Sequence, residues 1–188
     1  HVVANMPHIY NGYQLKDIID LNIGKNKTAI IASTGPSLNK QIELLKKVAP
    51  HALILIPDAS YHVLKINGIK PDFVATMERV EKTSEFFQSE PSQFDDGIMF
   101  MAASLTHPKT ALNLKDRNRC YAHRPIRFEF ILKDDIPFMC KGPSSAHFAL
   151  DMALNLKCER IIFIGQDLAF AKDGSSHAKG NIFENYIK

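Results

Sequence analysis

Apolar positions in this chain fall into short, nearly continuous runs, separated by stretches in which they recur every three or four residues. Thr28–Ser33 (TAIIAS) is a run with β-branched residues, bounded by charge before it and Gly-Pro after it, and predicts a buried strand. Leu38, Ile42, Leu45 and Val48 follow at helical spacing and predict a helix directly behind it. Ala52–Pro57, Phe73–Met77 and Ile98–Ala102 repeat the strand signature, Arg119–His123 is a weaker version, and Arg160–Gly165 (RIIFIG) is the clearest. Helical pieces are expected at Tyr61–Ile66, Val80–Gln88 and Pro108–Lys115. Another is expected behind Ser144 or Ser145, where Ala149, Met152, Ala153 and Leu156 share one face. Asn67-Gly68 marks a turn and Ser89–Gly97 a polar loop. Arg124–Lys141, with two prolines and aromatics of no clear period, reads as a long excursion or lid.

Runs that are apolar throughout, and not alternating, belong to strands covered on both faces. Their alternation with helices predicts an α/β class: a Rossmann-like, doubly wound, mostly parallel sheet with helices on both faces. Residues 1–25 form a lead-in segment in which Leu15, Ile18, Ile19 and Ile23 line one helical face, and residues 26–188 form the domain proper. A length of 188 residues, 45% apolar and 23% charged, fits one such domain. The net charge of +3 is spread without a basic stripe, which argues against a nucleic-acid partner. No run reaches the length of a membrane span and no signal peptide is visible, so no membrane partner is expected. Cys120, Cys140 and Cys158 are far apart and odd in number, which suits free thiols in a cytoplasmic protein. The chain opens on His1 and not on Met, and reads as a domain cut from a longer protein.

The chemistry concentrates at predicted strand ends, where open parallel sheets bind their ligands. Ser33-Thr34-Gly35-Pro36-Ser37 follows the first strand; Gly35 permits close approach and Pro36 suits a helix's first turn. Such a turn is a candidate phosphate cradle, and equally an ordinary capped strand-to-helix connection. Asp58, Glu78-Arg79, Ser104 and Gln166-Asp167 follow other strands. Asp58, Glu78 and Asp167 are carboxylates of the kind that bind sugar hydroxyls or hold a divalent ion such as magnesium; no spacing assigns a metal site. Arg79 suits a donor carboxylate or an ion pair with Glu78. His147, in the first turn of a helix capped by Ser144, and His177, in the loop Gly174–Gly180, are the candidate bases, and each is also readable as an ordinary polar residue. Neither G-x-x-x-x-G-K-[ST] nor G-x-G-x-x-G occurs.

GPSL after the first strand, PDFVATMER, and above all GPSSAHFALDMALNLKCERIIFIGQDLAF with SSHAKG resemble the central domain of Maf proteins, the motility accessory factors of flagellated bacteria. More distantly the pattern is similar to bacterial sialyltransferases that use a CMP-sialic acid donor, and to the pterin pyrophosphokinase group. The Maf resemblance implies that residues 26–188 form a nucleotide-sugar-binding glycosyltransferase domain, which moves a nonulosonic acid of pseudaminic or legionaminic type from CMP to Ser or Thr of flagellin. It places Ser33–Ser37 and Ser144-Ser145-Ala146 around the CMP, with Asp58, Arg79, Ser104 and Gln166 as further donor contacts. Asp167, His147, His177 and Glu78 are then the catalytic candidates, and no cofactor beyond the activated sugar is required. The pterin group implies instead an ATP- and magnesium-dependent enzyme. A non-catalytic nucleotide- or flagellin-binding module is the third option.

Overall fold

A computed structural model describes residues 1–125, 136–139 and 142–183. Six strands form one sheet: β1 (Thr28–Ala32), β2 (Leu53–Pro57), β3 (Phe73–Thr76), β4 (Met99–Ala103), β5 (Arg119–Ala122) and β6 (Arg160–Ile164). Their spatial order is β5-β4-β3-β2-β1-β6 and every pairing is parallel. The chain therefore steps outward from β1 to β5, then returns to lay β6 on the opposite side of β1. Strand order reverses between β1 and β6, and their carboxyl ends define the position where such folds hold ligands. The expected Rossmann-like α/β class is what forms.

The connections are α3 (Leu38–Val48), α4 (Tyr61–Ile66), a 3-10 stretch Glu81–Phe87, α5 (Pro108–Asn113) and α6 (Ser145–Asn155). Two apolar layers explain the continuous runs in the sequence. On one face Ile30, Ile54, Ile56, Val74 and Phe100 pack with Leu38, Ile42 and Leu45 of α3, Tyr61 and Leu64 of α4, and Phe86-Phe87. On the other, Ala29, Ile31, Leu55, Phe73 and Met101 pack with Phe148, Met152 and Leu156 of α6. Successive residues of a strand point to opposite faces, so a strand buried on both must be apolar at every position. Val80–Gln88, expected as helical, is 3-10 over Glu81–Phe87.

The lead-in holds two helices, α1 (Val2–Tyr10) and α2 (Leu15–Asp20). Leu15 and Ile18 of α2 lean on the α6 face as their spacing predicts. Helix α1 escapes pattern reading because Pro7 lies inside it and forfeits one backbone bond. It is anchored by Asn5, fully buried, whose amide donates to the Ser104 and Thr106 carbonyls at 2.9 and 2.8 Å. Strand β6, the clearest in the sequence, is one of the sheet's two edge strands among the described residues, and Ile162 and Phe163 are 42% and 44% exposed. Most of the Arg124–Lys141 excursion lies outside the described residues. Its described part includes a parallel bridge from His123 to Phe138 that extends the β5 ladder, with Met139 buried beneath. Cys120 and Cys158 are free thiols; Cys140 lies outside the described residues.

Candidate functional site

The turn after β1 and the turn after β6 meet at the reversal of strand order. Gly35 N–H donates to the Gly165 carbonyl at 2.7 Å, and the Ser33 hydroxyl donates to Gln166 Oε1 at 2.7 Å. Asp167 Oδ2 accepts the Ser37 N–H at 2.7 Å, and Oδ1 accepts the Ser37 hydroxyl. Both turns need glycine. A Cβ on Gly35 would lie 2.5 Å from the Gly165 carbonyl oxygen and against the Asp167 carboxylate, whereas Gly165 has φ +63 and a side chain there would strike the Ser33 carbonyl. Leu168 follows at φ +51 and is 91% exposed, so no packing holds it in that uncommon conformation. Ser33, Thr34, Gly35, Gln166, Asp167 and His177 line a cavity of about 340 Å³ here. A second concavity, about 490 Å³, lies on the outer side of Asp167 and takes in Lys40 and Lys172.

The backbone donors of the α3 start are committed within the protein. Gly35 N–H serves Gly165, Pro36 has none, Ser37 N–H serves Asp167, and the Leu38, Asn39 and Lys40 N–H groups serve the carbonyls of Gly35, Pro36 and Ser37. The chain's own carboxylate thus stands at the helix terminus that the sequence reading offers to a phosphate, where the dipole favours an anion.

Asp58 and Glu78 form a second corner, at the ends of β2 and β3. Asp58 is only 4% exposed. Its carboxylate accepts the Thr76 hydroxyl at 2.7 Å and the Ala59 N–H at 2.8 Å, and it also bonds the Ser145 hydroxyl at the start of α6. Burial pushes the Asp58 carboxyl up to about 6 and nearby Glu78 adds to the rise, while the bonds from Thr76, Ala59 and Ser145 oppose it. The three candidate carboxylates therefore divide, Asp167 on one corner and Asp58 with Glu78 on the other. Among the described residues no group of three or more His, Cys, Asp or Glu side chains is disposed to hold a metal ion, and no ion pair joins Glu78 to Arg79. The Glu78 backbone carbonyl accepts the Thr106 hydroxyl and the His107 N–H, which ties the β3 end to the β4 end. Ser104 is fully buried beneath α1 and faces no cavity described above.

The candidate bases separate too. His147 is exposed on the first turn of α6, its Nδ1 2.7 Å from the Ser144 hydroxyl, and Ala146 beside it is buried. His177 lines the smaller cavity, its Nδ1 2.7 Å from the Ser176 hydroxyl. Sequence reading missed Thr76, whose only signal was a hydroxyl closing an otherwise apolar strand. It also missed the strap that follows His177. Ala178 N–H donates to the Thr34 carbonyl at 2.7 Å, Lys179 N–H to Asn39 Oδ1, and the Asn181 amide to the Ala59 carbonyl at 2.9 Å. Phe183 then packs against Phe86, the ring centroids 4.8 Å apart and the planes tilted by 58°. Residues 178–183 thus cross the carboxyl edge from β1 toward β3.

Among proteins of curated function, none matches the chain. A solved structure, that of a Maf glycosyltransferase from Magnetospirillum magneticum AMB-1, superposes with a TM-score of 0.66 over 77% of the chain at 23% identity. The chain spans 23% of the length of that protein, and the likeness agrees with the Maf resemblance read from the sequence and with the fold. The family described as 6-hydroxymethylpterin diphosphokinase MptE-like matches residues 1–173, nearly the whole sequence, and it is to this family that the chain belongs.

Proposed function

We propose that this domain is a cytoplasmic glycosyltransferase module that binds a CMP-activated nonulosonic acid at the β1–β6 mouth and transfers the sugar to Ser or Thr of flagellin. The observation that supports it most is the cavity itself. It sits at the reversal of strand order, is lined by hydroxyls, an amide, a carboxylate and an imidazole, and at about 340 Å³ falls in the range of small-molecule sites. His177 serves as general base in this reading: in the tautomer whose Nδ1–H donates to the Ser176 oxygen, Nε2 is the nitrogen left to take the acceptor hydroxyl's proton. Burial raises the Asp58 carboxyl to about 6, and its bonds to Thr76 and Ser145 tie the β2 end to the start of α6 at the neighbouring corner, outside the lining of the β1–β6 cavity.

A second reading is favoured by the description of the matched family: transfer of diphosphate from ATP, with magnesium, to a hydroxymethylpterin alcohol. Thermal-shift measurements with CMP, AMP, and ATP plus magnesium separate the two. CMP stabilising the domain more than AMP supports the glycosyltransferase reading. A response confined to ATP with magnesium, enhanced by hydroxymethylpterin, replaces it with the second. Silence toward every nucleotide leaves a non-catalytic binding module.

A further inference from the structure

We infer that Asp167 makes the α3 corner of the mouth a reader of hydroxyl donors, a vicinal diol such as the ribose of a nucleotide, and not a seat for phosphate. This rests on the nucleotide reading above and specifies which end of the ligand lies over α3.

Three observations lead there. From Gly35 to Lys40 each backbone N–H has an acceptor inside the protein, so the turn has none of these donors left for phosphate oxygens. The anion at the helix start is already in place, because Asp167 accepts both the N–H and the hydroxyl of Ser37, and a second anion against it meets like charge. Asp167 nonetheless borders both concavities, and an ionised carboxylate has room for about four donors. Ser37 supplies two, which leaves capacity turned to the ligand. Beside it Gln166 gives its Oε1 to the Ser33 hydroxyl, so its amide N–H groups are the part left to donate. An acceptor next to a donor matches a pair of adjacent hydroxyls, each able to donate and accept. It does not match a phosphate, which only accepts.

The consequence is a ribo-specific site. Binding measured by isothermal titration calorimetry for CMP and its 2′,3′-dideoxy analogue, and for the matching ATP pair with magnesium, reads the diol term whichever base is accepted. In the unaltered protein the ribonucleotide binds at least tenfold tighter than its dideoxy partner, since a site built around hydroxyls leaves its own polar groups unpaired when they are missing. Asp167→Asn brings that ratio below threefold. Gln166→Ala, on an exposed side chain that leaves the α3 cap intact, lowers the ratio as well and serves if Asp167→Asn unfolds. Equal binding of ribo and dideoxy forms overturns the inference while leaving the nucleotide reading standing. Tighter binding of CMP or inorganic phosphate by Asp167→Asn also overturns it, since that marks a phosphate seat blocked by Asp167. Absence of binding by every nucleotide overturns both.

Discussion

Gly35→Ala tests whether the two turns form one unit. The new Cβ would lie 2.5 Å from the Gly165 carbonyl oxygen and 2.8 Å from Asp167 Cγ, where ordinary contact begins at 3.4 Å. Neither neighbour is a loose side-chain end: one is backbone and the other is held by Ser37. Relief requires the 165–167 turn to withdraw by roughly an ångström, breaking the Gly35–Gly165 bond and both bonds from Ser37 to Asp167. Losing these three bonds, each partly replaced by bonds to water at this half-exposed turn, costs about 3 kcal/mol, at the upper end of ordinary overpacking. Asp167→Ala alone removes the two Ser37 bonds and the helix cap, costing about 2 kcal/mol. In the double variant the carboxylate wall is gone and those bonds are already lost, so the total should be about 3 kcal/mol, not 5. Urea unfolding of the four proteins measures the coupling, expected near 2 kcal/mol against the ~0.3–0.5 kcal/mol scatter of independent sites. A double variant whose cost equals the sum of the singles refutes the claim that Gly35 is kept small for Asp167.

Asp58 gives a pH signature. Its carboxyl is raised to about 6 in the folded protein, against about 3.9 when unfolded, so between those values the native state binds the extra proton. Stability should therefore fall as pH rises from 4 to 6 and then level, by about 3 kcal/mol in all. Measured as the difference between the unaltered protein and Asp58→Asn, which cancels other carboxyls, the gap should move by that amount; a gap constant from pH 4 to 7 contradicts the buried-carboxyl assignment. Asn181→Ala removes the amide bond to Ala59 and the acceptor of the Phe183 N–H, with an expected cost of about 1–2 kcal/mol. Hydrogen exchange should then quicken at Ala178, and unchanged protection there shows that the strap is held by its aromatic end instead.

Much of the fold was legible because burial on both faces leaves a local trace. Ile30-Ile31 and Leu53-Ile54-Leu55-Ile56 read as strands from composition alone, and α3 from the spacing of Leu38, Ile42 and Leu45. The mouth was legible one step further on, since a parallel sheet places its strand ends together. What sequence did not hold was pairing across distance. Nothing local to Asp167 says that Ser37, 130 positions away, takes up its carboxylate, or that among the described residues β6 lies at an edge of the sheet and not within it. The strap is held by backbone groups, two asparagine side chains and the packing of Phe183 on Phe86, a mixture with no hydrophobic period to read. Helix α1 was hidden by Pro7, and Asn5 looks like any surface asparagine until α1 is laid against β4.

Half of the mouth is built on β6, a strand that among the described residues has ladder bonds on one side only. Every excursion of β6 away from β1 takes Gln166 from Ser33, Asp167 from Ser37 and Gly165 from Gly35 in a single movement, so affinity and edge fraying are one equilibrium seen twice. A ligand that bridges the two turns acts as an additional rung between β1 and β6, and its binding should be felt as slowed exchange along Arg160–Ile164, well away from any atom it touches.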